Sequence, residues 1–270
     1  MAYVEVNDAR LFFTDEGDGM PLLLVHGTGC DSFDWMHQMP ALLPRYRVIA
    51  VDRRGHGHSS APTAGYGPRS EAEDMIALLD SLGVSRFAAM GHSTGGGVVA
   101  ALAVEHPERV RAIVAVDPSY GINPAARAAF EQLGPALAGS GGQDVYRGMS
   151  DESFYAPSAP PHLRPWHMRR VYTVPPHALS AVVIATALGK DQFFFRPESE
   201  AYLKRVACPA LTVRRLRDGG LTPEWDRAQF GHPYSDSIGW EDAGHFLHQE
   251  RPDDFNRAVT AWLNDIPARA

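Results

Sequence analysis

Cysteine is scarce: 270 residues hold two, Cys30 and Cys208. Two cysteines cannot build a disulfide framework, so both read as small apolar fillers in a reducing compartment. Long apolar runs are missing as well, none approaching the ~20 residues that span a bilayer. The opening stretch, Met1 to Val6, carries an acid where a secretory leader carries basic residues. The expectation is a cytoplasmic chain that engages no membrane.

Positive charge is in deficit, with 25 Lys and Arg against 32 Asp and Glu, a net charge of -7 and no basic stripe. That balance argues against nucleic acid as a partner. Metal-ligand spacings are absent: no His-x-x-x-His, no His-Glu-x-x-His and no paired cysteines. Gly-x-Gly-x-x-Gly, the P-loop and repeats of solenoid period are absent too, so neither a metal nor a cofactor is expected. What remains is a monomer or homodimer acting on a small molecule.

What is present alternates. Residues 3–6 and 11–15 pattern as an opening pair of strands, and 21–26, 47–52, 87–91 and 110–117 are unbroken apolar runs, as expected of strands covered on both faces. Residues 70–82 put Ala72, Met75, Ile76, Leu79 and Leu82 on one helical face, with Ser70 and Glu73 as a capping box and Gly83 as the stop. Strands alternating with helices predict an α/β fold with a mostly parallel sheet. The rhythm breaks after Asp117, where residues 118–203 hold ten of the 21 prolines and eleven aromatics. It returns at 210–214 and 237–240, with a helix over 253–263. The expected organisation is one core, 1–117 and 204–270, interrupted by an insertion at 118–203 too proline-rich and too weakly periodic to make a strong core.

Three short motifs carry chemistry. Gly91-His92-Ser93-Thr94-Gly95 ends one strand and opens a helix that runs to about His106. A nucleophile exposed on so sharp a turn needs small neighbours, which the flanking glycines supply. The helix N-terminus adds free N–H groups and a positive dipole end facing developing negative charge. His26-Gly27-Thr28-Gly29 follows the strand at 21–26, where the N–H of Thr28 and the N–H of Thr94 could form a two-donor oxyanion hole. His245, in Ala243-Gly244-His245-Phe246, follows the last strand, the place of the base when nucleophile, acid and histidine come in that chain order. His248 reads as a packing or surface residue, and His56 as part of a loop that shapes the fold near the pocket.

Taken together, these motifs resemble the α/β-hydrolase superfamily, in its branch of small serine esterases, cofactor-free haloperoxidases, epoxide hydrolases and carbon–carbon bond hydrolases. Asp52-x-Arg54-Gly55-x-Gly57-x-Ser59 and Cys208-Pro209 before a strand complete the set. The resemblance implies an eight-stranded sheet flanked by helices, a helical cap inserted after the sixth strand, and a site between them. Epoxide hydrolases and haloalkane dehalogenases of this fold carry aspartate at the elbow, and Ser93 argues against both. The family's usual acid follows the seventh strand in a Gly-x-x-Asp pattern. Here Asp218 has that place, although Arg215 replaces the glycine. Asp117, ending the sixth strand, is the second candidate, and Asp218 is favoured.

The leading expectation is hydrolysis of an ester or lactone of a small to medium apolar or aromatic compound, through a Ser93–His245–Asp218 triad and an acyl-enzyme. Tyr120, Phe154, Tyr155, Trp166 and Phe246 are the candidate pocket aromatics, with the phenylalanines at 193–195 beside them. A second resemblance is to cofactor-independent dioxygenases of this fold, in which the histidine deprotonates an aromatic substrate and the acid follows the sixth strand. Asp117 keeps that reading open. Carbon–carbon bond hydrolysis and a non-catalytic ligand receptor on the same fold are further alternatives.

Overall fold

Apolar runs of five to eight residues, too short for helices, settle into strands in the computed structural model, which describes residues 1–267. They are β1 (Ala2–Val6), β2 (Ala9–Glu16), β3 (Met20–Val25), β4 (Tyr46–Val51), β5 (Phe87–His92), β6 (Val110–Val116), β7 (Ala210–Arg215) and β8 (Asp236–Trp240). They form one sheet in the order β1-β2-β4-β3-β5-β6-β7-β8. β2 runs antiparallel to β1 and β4, and every other pairing is parallel. Along β3, Leu22 and Leu24 face one apolar cluster while Leu23 and Val25 face another. With both faces covered, alternation disappears from the sequence and an unbroken run is left.

Helices fill the crossovers: α1 (Met39–Leu42), α2 (Pro68–Ser81) and α3 (Thr94–Glu105) before β6, then α9 (Pro223–Arg227), α10 (Leu247–Glu250) and α11 (Pro252–Asp265) after β7. The expected capping box at Ser70 does not form. α2 starts two residues earlier, on Gly67 in extended backbone with Pro68 in the first turn, where a missing N–H costs nothing. Gly83 does stop it, at φ +67°.

Between β6 and β7 lie α4 (Arg127–Ala138), α5 (Gly142–Ser153), α6 (Leu163–Val171), α7 (Pro176–Leu188) and α8 (Glu198–Leu203). This segment is better packed than its composition suggested. Leu137, Tyr146, Val171, Val174, Leu179 and Val182 bury one another around Tyr66, which comes from the loop before α2. Among the described residues no single helix is long and apolar enough to cross a membrane.

The motif at 52–59 ties loops together. Asp52 accepts N–H bonds from Ser32 (2.7 Å) and His58 (2.8 Å), and Ser59 donates to the Asp52 carbonyl. Its neighbour Arg53 is fully buried, makes a two-pronged pair with Glu71 on α2 (2.6 Å each), and donates to the Thr94 hydroxyl at 2.7 Å. Removing one partner of a buried ion pair strands the other charge, at a cost of roughly 3–5 kcal/mol. Glu71→Gln should therefore destabilise the fold by about 3 kcal/mol in urea unfolding. Asp80→Asn, which breaks the exposed pair with Arg109, should change stability by less than ~1 kcal/mol. Equal effects would contradict this account of the Arg53 anchor.

Candidate active site

Ser93 links β5 to α3 at φ 54°, ψ -119°, a conformation L-residues rarely hold and one that costs of order 1–3 kcal/mol. The flanking glycines are required by contact. A Cβ on Gly91 would stand 2.2 Å from the Gly95 carbonyl oxygen, and one on Gly95 would stand 2.3 Å from that of Val25. The turn puts Ser93 on the wall of a cavity of about 210 Å³, shared with Thr28, Thr94, Asp117, Ser119 and His245. The Ser93 hydroxyl lies 3.3 Å from that of Ser119, whose own N–H is bonded to the Ser93 carbonyl.

His245 meets a carboxylate, and it is not the one favoured from sequence. Its Nδ1 lies 2.5 Å from Oδ2 of Asp117. Asp218 is exposed on the turn after β7 and accepts no ion pair among the described residues. Two arginines close to Asp218 in sequence turn inward. Arg214 makes a two-pronged pair with buried Asp226 (2.8 Å each), and Arg215 Nε sits 2.9 Å from Asp117 Oδ2. Burial opposes ionisation of Asp117. The hydrogen bond and charge of His245, with the charges of Arg215 and Arg214, overrule it and hold the carboxyl well below the usual carboxylate range. For His245, burial pushes the imidazole below its ordinary value, Asp117 pulls it back part of the way, and Arg215 and Arg217 push it down.

Residues between β6 and β7 clamp the machinery. The Phe154 carbonyl accepts the His245 N–H at 2.6 Å, and the Phe154 ring lies tilted against the imidazole, with ring centroids 4.6 Å apart. The Ser153 carbonyl accepts from Arg215 at 2.6 Å. The Tyr146 hydroxyl donates to the Thr28 carbonyl at 2.7 Å. Thr28 and Thr94, the expected oxyanion pair, sit side by side on the cavity with hydroxyls 3.0 Å apart. As the first residue of α3, Thr94 has a backbone N–H without an intrahelical acceptor.

Of the five aromatics proposed for the pocket, only Phe154 lines this cavity. Tyr120 is buried in the sheet core, 3.5 Å from the Thr212 hydroxyl. Tyr155 bonds His167, whose ring stacks on Phe246 at 3.7 Å, behind the wall. Trp166 is about half exposed, on a separate groove with Phe33 and Met36. Of the phenylalanines at 193–195, Phe194 lines the cavity as expected, and the rest of the apolar wall comes from Ile122, Phe130, Leu133, Met149 and Val183. Sequence reasoning also missed Ser119, Arg215 and Tyr146. For Ser119 a signal existed: it lies two residues past a carboxylate that ends an apolar strand.

Behind Ser93 lies a buried polar cluster. Asp34 is met by Gln249 (2.6 Å), Arg170 (3.0 Å) and His248 (3.4 Å), and His92 bonds the His245 carbonyl at 2.9 Å. His248 is thus fully buried rather than at the surface. Metal-ligating atoms of Cys30, Asp34 and His92 lie within 4.8 Å of one another. Arg170 already neutralises Asp34, and burial pushes the Cys30 thiol well up, away from the thiolate a metal would need.

Residues 20–147 match the model of the alpha/beta hydrolase fold family. A bifunctional epoxide hydrolase 2 from Sus scrofa is 39% identical over 114 residues, which is 41% of this chain and 20% of that protein. The match thus spans about a fifth of that relative's length. Among solved structures, a thermophilic esterase from Thermogutta terrifontis superposes with a TM-score of 0.85 at 24% identity, covering 98% of this chain and 99% of that one. An enol-lactonase from Burkholderia xenovorans LB400 gives 0.85 at 21%, covering 98% and 100%. The chain has the α/β-hydrolase fold, and its residues 20–147 match that family's model.

Proposed function

We propose that this chain hydrolyses esters or lactones of small to medium apolar or aromatic compounds through an acyl-enzyme on Ser93. One observation carries the reading: a serine hydroxyl on a strained turn and an imidazole bonded through Nδ1 to a buried carboxylate converge on one largely apolar cavity. Asp117 keeps the proton on Nδ1, which leaves a lone pair on Nε2 of His245 as the base. In the proposed cycle Ser93 Oγ attacks the carbonyl carbon, and His245 takes its proton and gives it to the departing alcohol oxygen. Water then attacks the acyl-enzyme by the same route, releasing the acid and restoring Ser93. The N–H groups of Thr28 and Thr94 would receive the oxyanion, each worth ~3 kcal/mol of transition-state stabilisation. An apolar wall would hold the acyl group and exclude water.

A second reading has one observation in its favour. The carboxylate on His245 follows the sixth strand, and the Ser93 hydroxyl rests on Ser119, as suits a histidine that deprotonates an aromatic substrate for attack on oxygen. Oxygen uptake with a heteroaromatic substrate, unaffected by a fluorophosphonate, would favour it over hydrolysis.

Ser93→Ala should lower turnover of a p-nitrophenyl ester by ~10⁴-fold or more with the fold intact, because such residues act as a unit; near-full activity would end the hydrolase reading. The acid is tested in pairs. Asp117→Asn should lose up to ~10⁴ in kcat through the wrong imidazole tautomer, while Asp218→Asn keeps most of its activity. The reverse result would restore Asp218. Because His245 must be neutral to act as base and its pKa is lowered in the fold, kcat/KM should fall with acid at a midpoint below about 6.5. Asp117 favours the charged imidazole, so the midpoint measured in Asp117→Asn should drop further. An upward move would contradict the pairing.

A further inference from the structure

We propose that Arg217 is a receptor for a carboxylate on the substrate, so that the preferred ester or lactone is anionic at one end and apolar at the other. This rests on the hydrolase reading given above and names its substrate class.

Three arginines, Arg214, Arg215 and Arg217, line the cavity that holds Ser93 and His245. Two are spoken for. Arg214 is locked on Asp226, and Arg215 is held between Asp117 and the Ser153 carbonyl. Arg217 stands two residues past the end of β7, on the way to α9, exposed and yet lining the cavity. Among the described residues, no carboxylate or carbonyl takes a hydrogen bond from its guanidinium, and the neighbouring Asp218 does not pair with it. The cavity's own carboxylate, Asp117, is already committed to His245 and Arg215.

Arg214 is paired with Asp226, and Arg215 with Asp117, with the charge of Glu250 also acting on it. The guanidinium on this cavity that no side chain meets directly, among the described residues, belongs to Arg217. It is close enough to the chemistry to be felt, since Arg217 is one of the charges that disfavour protonated His245. A guanidinium presents a planar fork of donors that matches a carboxylate, and it keeps its charge at every working pH. Ile122, Phe130, Leu133, Val183 and Phe194 line the same cavity and offer it apolar surface. An apolar chain lies there at no cost in desolvated charge. The cavity thus offers both a guanidinium and apolar surface, and a ligand with a carboxylate and a hydrocarbon chain satisfies both.

The test uses binding first, so that it does not depend on turnover. Hexanoate and the isosteric neutral hexanamide are titrated by calorimetry into full-length Ser93→Ala protein. Hexanoate should bind about tenfold more tightly, the advantage should shrink as salt is raised because the guanidinium is exposed, and adding Arg217→Gln should abolish it. Arg217→Glu should turn it into a preference for the amide. Equal binding of the two ligands, undetectable binding of hexanoate, or an advantage that survives Arg217→Gln would overturn the proposal. Turnover then locates the carboxylate. With Ser93 intact, 4-nitrophenyl hydrogen glutarate against 4-nitrophenyl butyrate probes the acyl side, and 4-acetoxybenzoate against its methyl ester probes the leaving side. One pair should favour its anion by roughly tenfold in kcat/KM, with the ratio lost in Arg217→Gln. Loss of all hydrolysis with the hexanoate preference intact would sink the hydrolase reading and leave the anion site standing.

Discussion

Asp117 sits where β6 gives out. Its N–H still bonds the Val213 carbonyl of β7, and the chain then turns through φ +38° into Pro118. The sheet holds the backbone, and the turn throws the carboxylate sideways toward His245. A buried carboxylate is costly unless its lone pairs are met, and here an imidazole N–H and the Arg215 backbone N–H donate to it, with the Arg215 guanidinium as its counter-charge. That bond fixes which nitrogen of His245 carries the proton and which way the ring faces. The rest of the site is arranged around it: the segment at 118–203 begins one residue later, and its Ser153 and Phe154 carbonyls grip Arg215 and His245.

A second layer supports the opposite side. Arg53 links Glu71 to the Thr94 hydroxyl and the His26 carbonyl, so one buried charge spans both loops that flank Ser93. His92, the residue before Ser93, reaches the carbonyl of His245. Such groups cost desolvation, and in return they leave a strained serine, a histidine and two loops little freedom to relax. The conformational cost at Ser93 is carried by the packing of α3 on the sheet, where Gly95 to Val104 are all buried.

Much of this could be read from residue order. Parallel strands buried on both faces must be continuous apolar runs, and the eight strands lie within two residues of the expected ones. The elbow was readable because Gly91 and Gly95 answer a steric demand that no other residue meets. The carboxylate that meets His245 was not. Position after β7 favoured Asp218 over Asp117. Direction is what decided the matter: Arg214 and Arg215 lie on a strand buried along its whole length, so they point inward to Asp226 and Asp117. Of the candidate pocket aromatics only Phe154 and Phe194 line the cavity, and the aliphatic residues of α7 that line it were missed. α7 is mostly apolar, with Leu179 and Val182 in one cluster and Val183 and Ala187 on the cavity. A helix without a polar face gives no period from which to infer orientation.

The bond between His245 and Asp117 is the claim on which the account stands, and it can be observed without a substrate. In proton NMR a strongly hydrogen-bonded imidazole Nδ1–H, shielded from exchange by burial, gives a resonance far downfield of the amide region. The wild-type protein should show one such signal that disappears in His245→Ala and in Asp117→Asn and persists in Asp218→Asn. A signal that survives Asp117→Asn and is lost in Asp218→Asn would contradict the account.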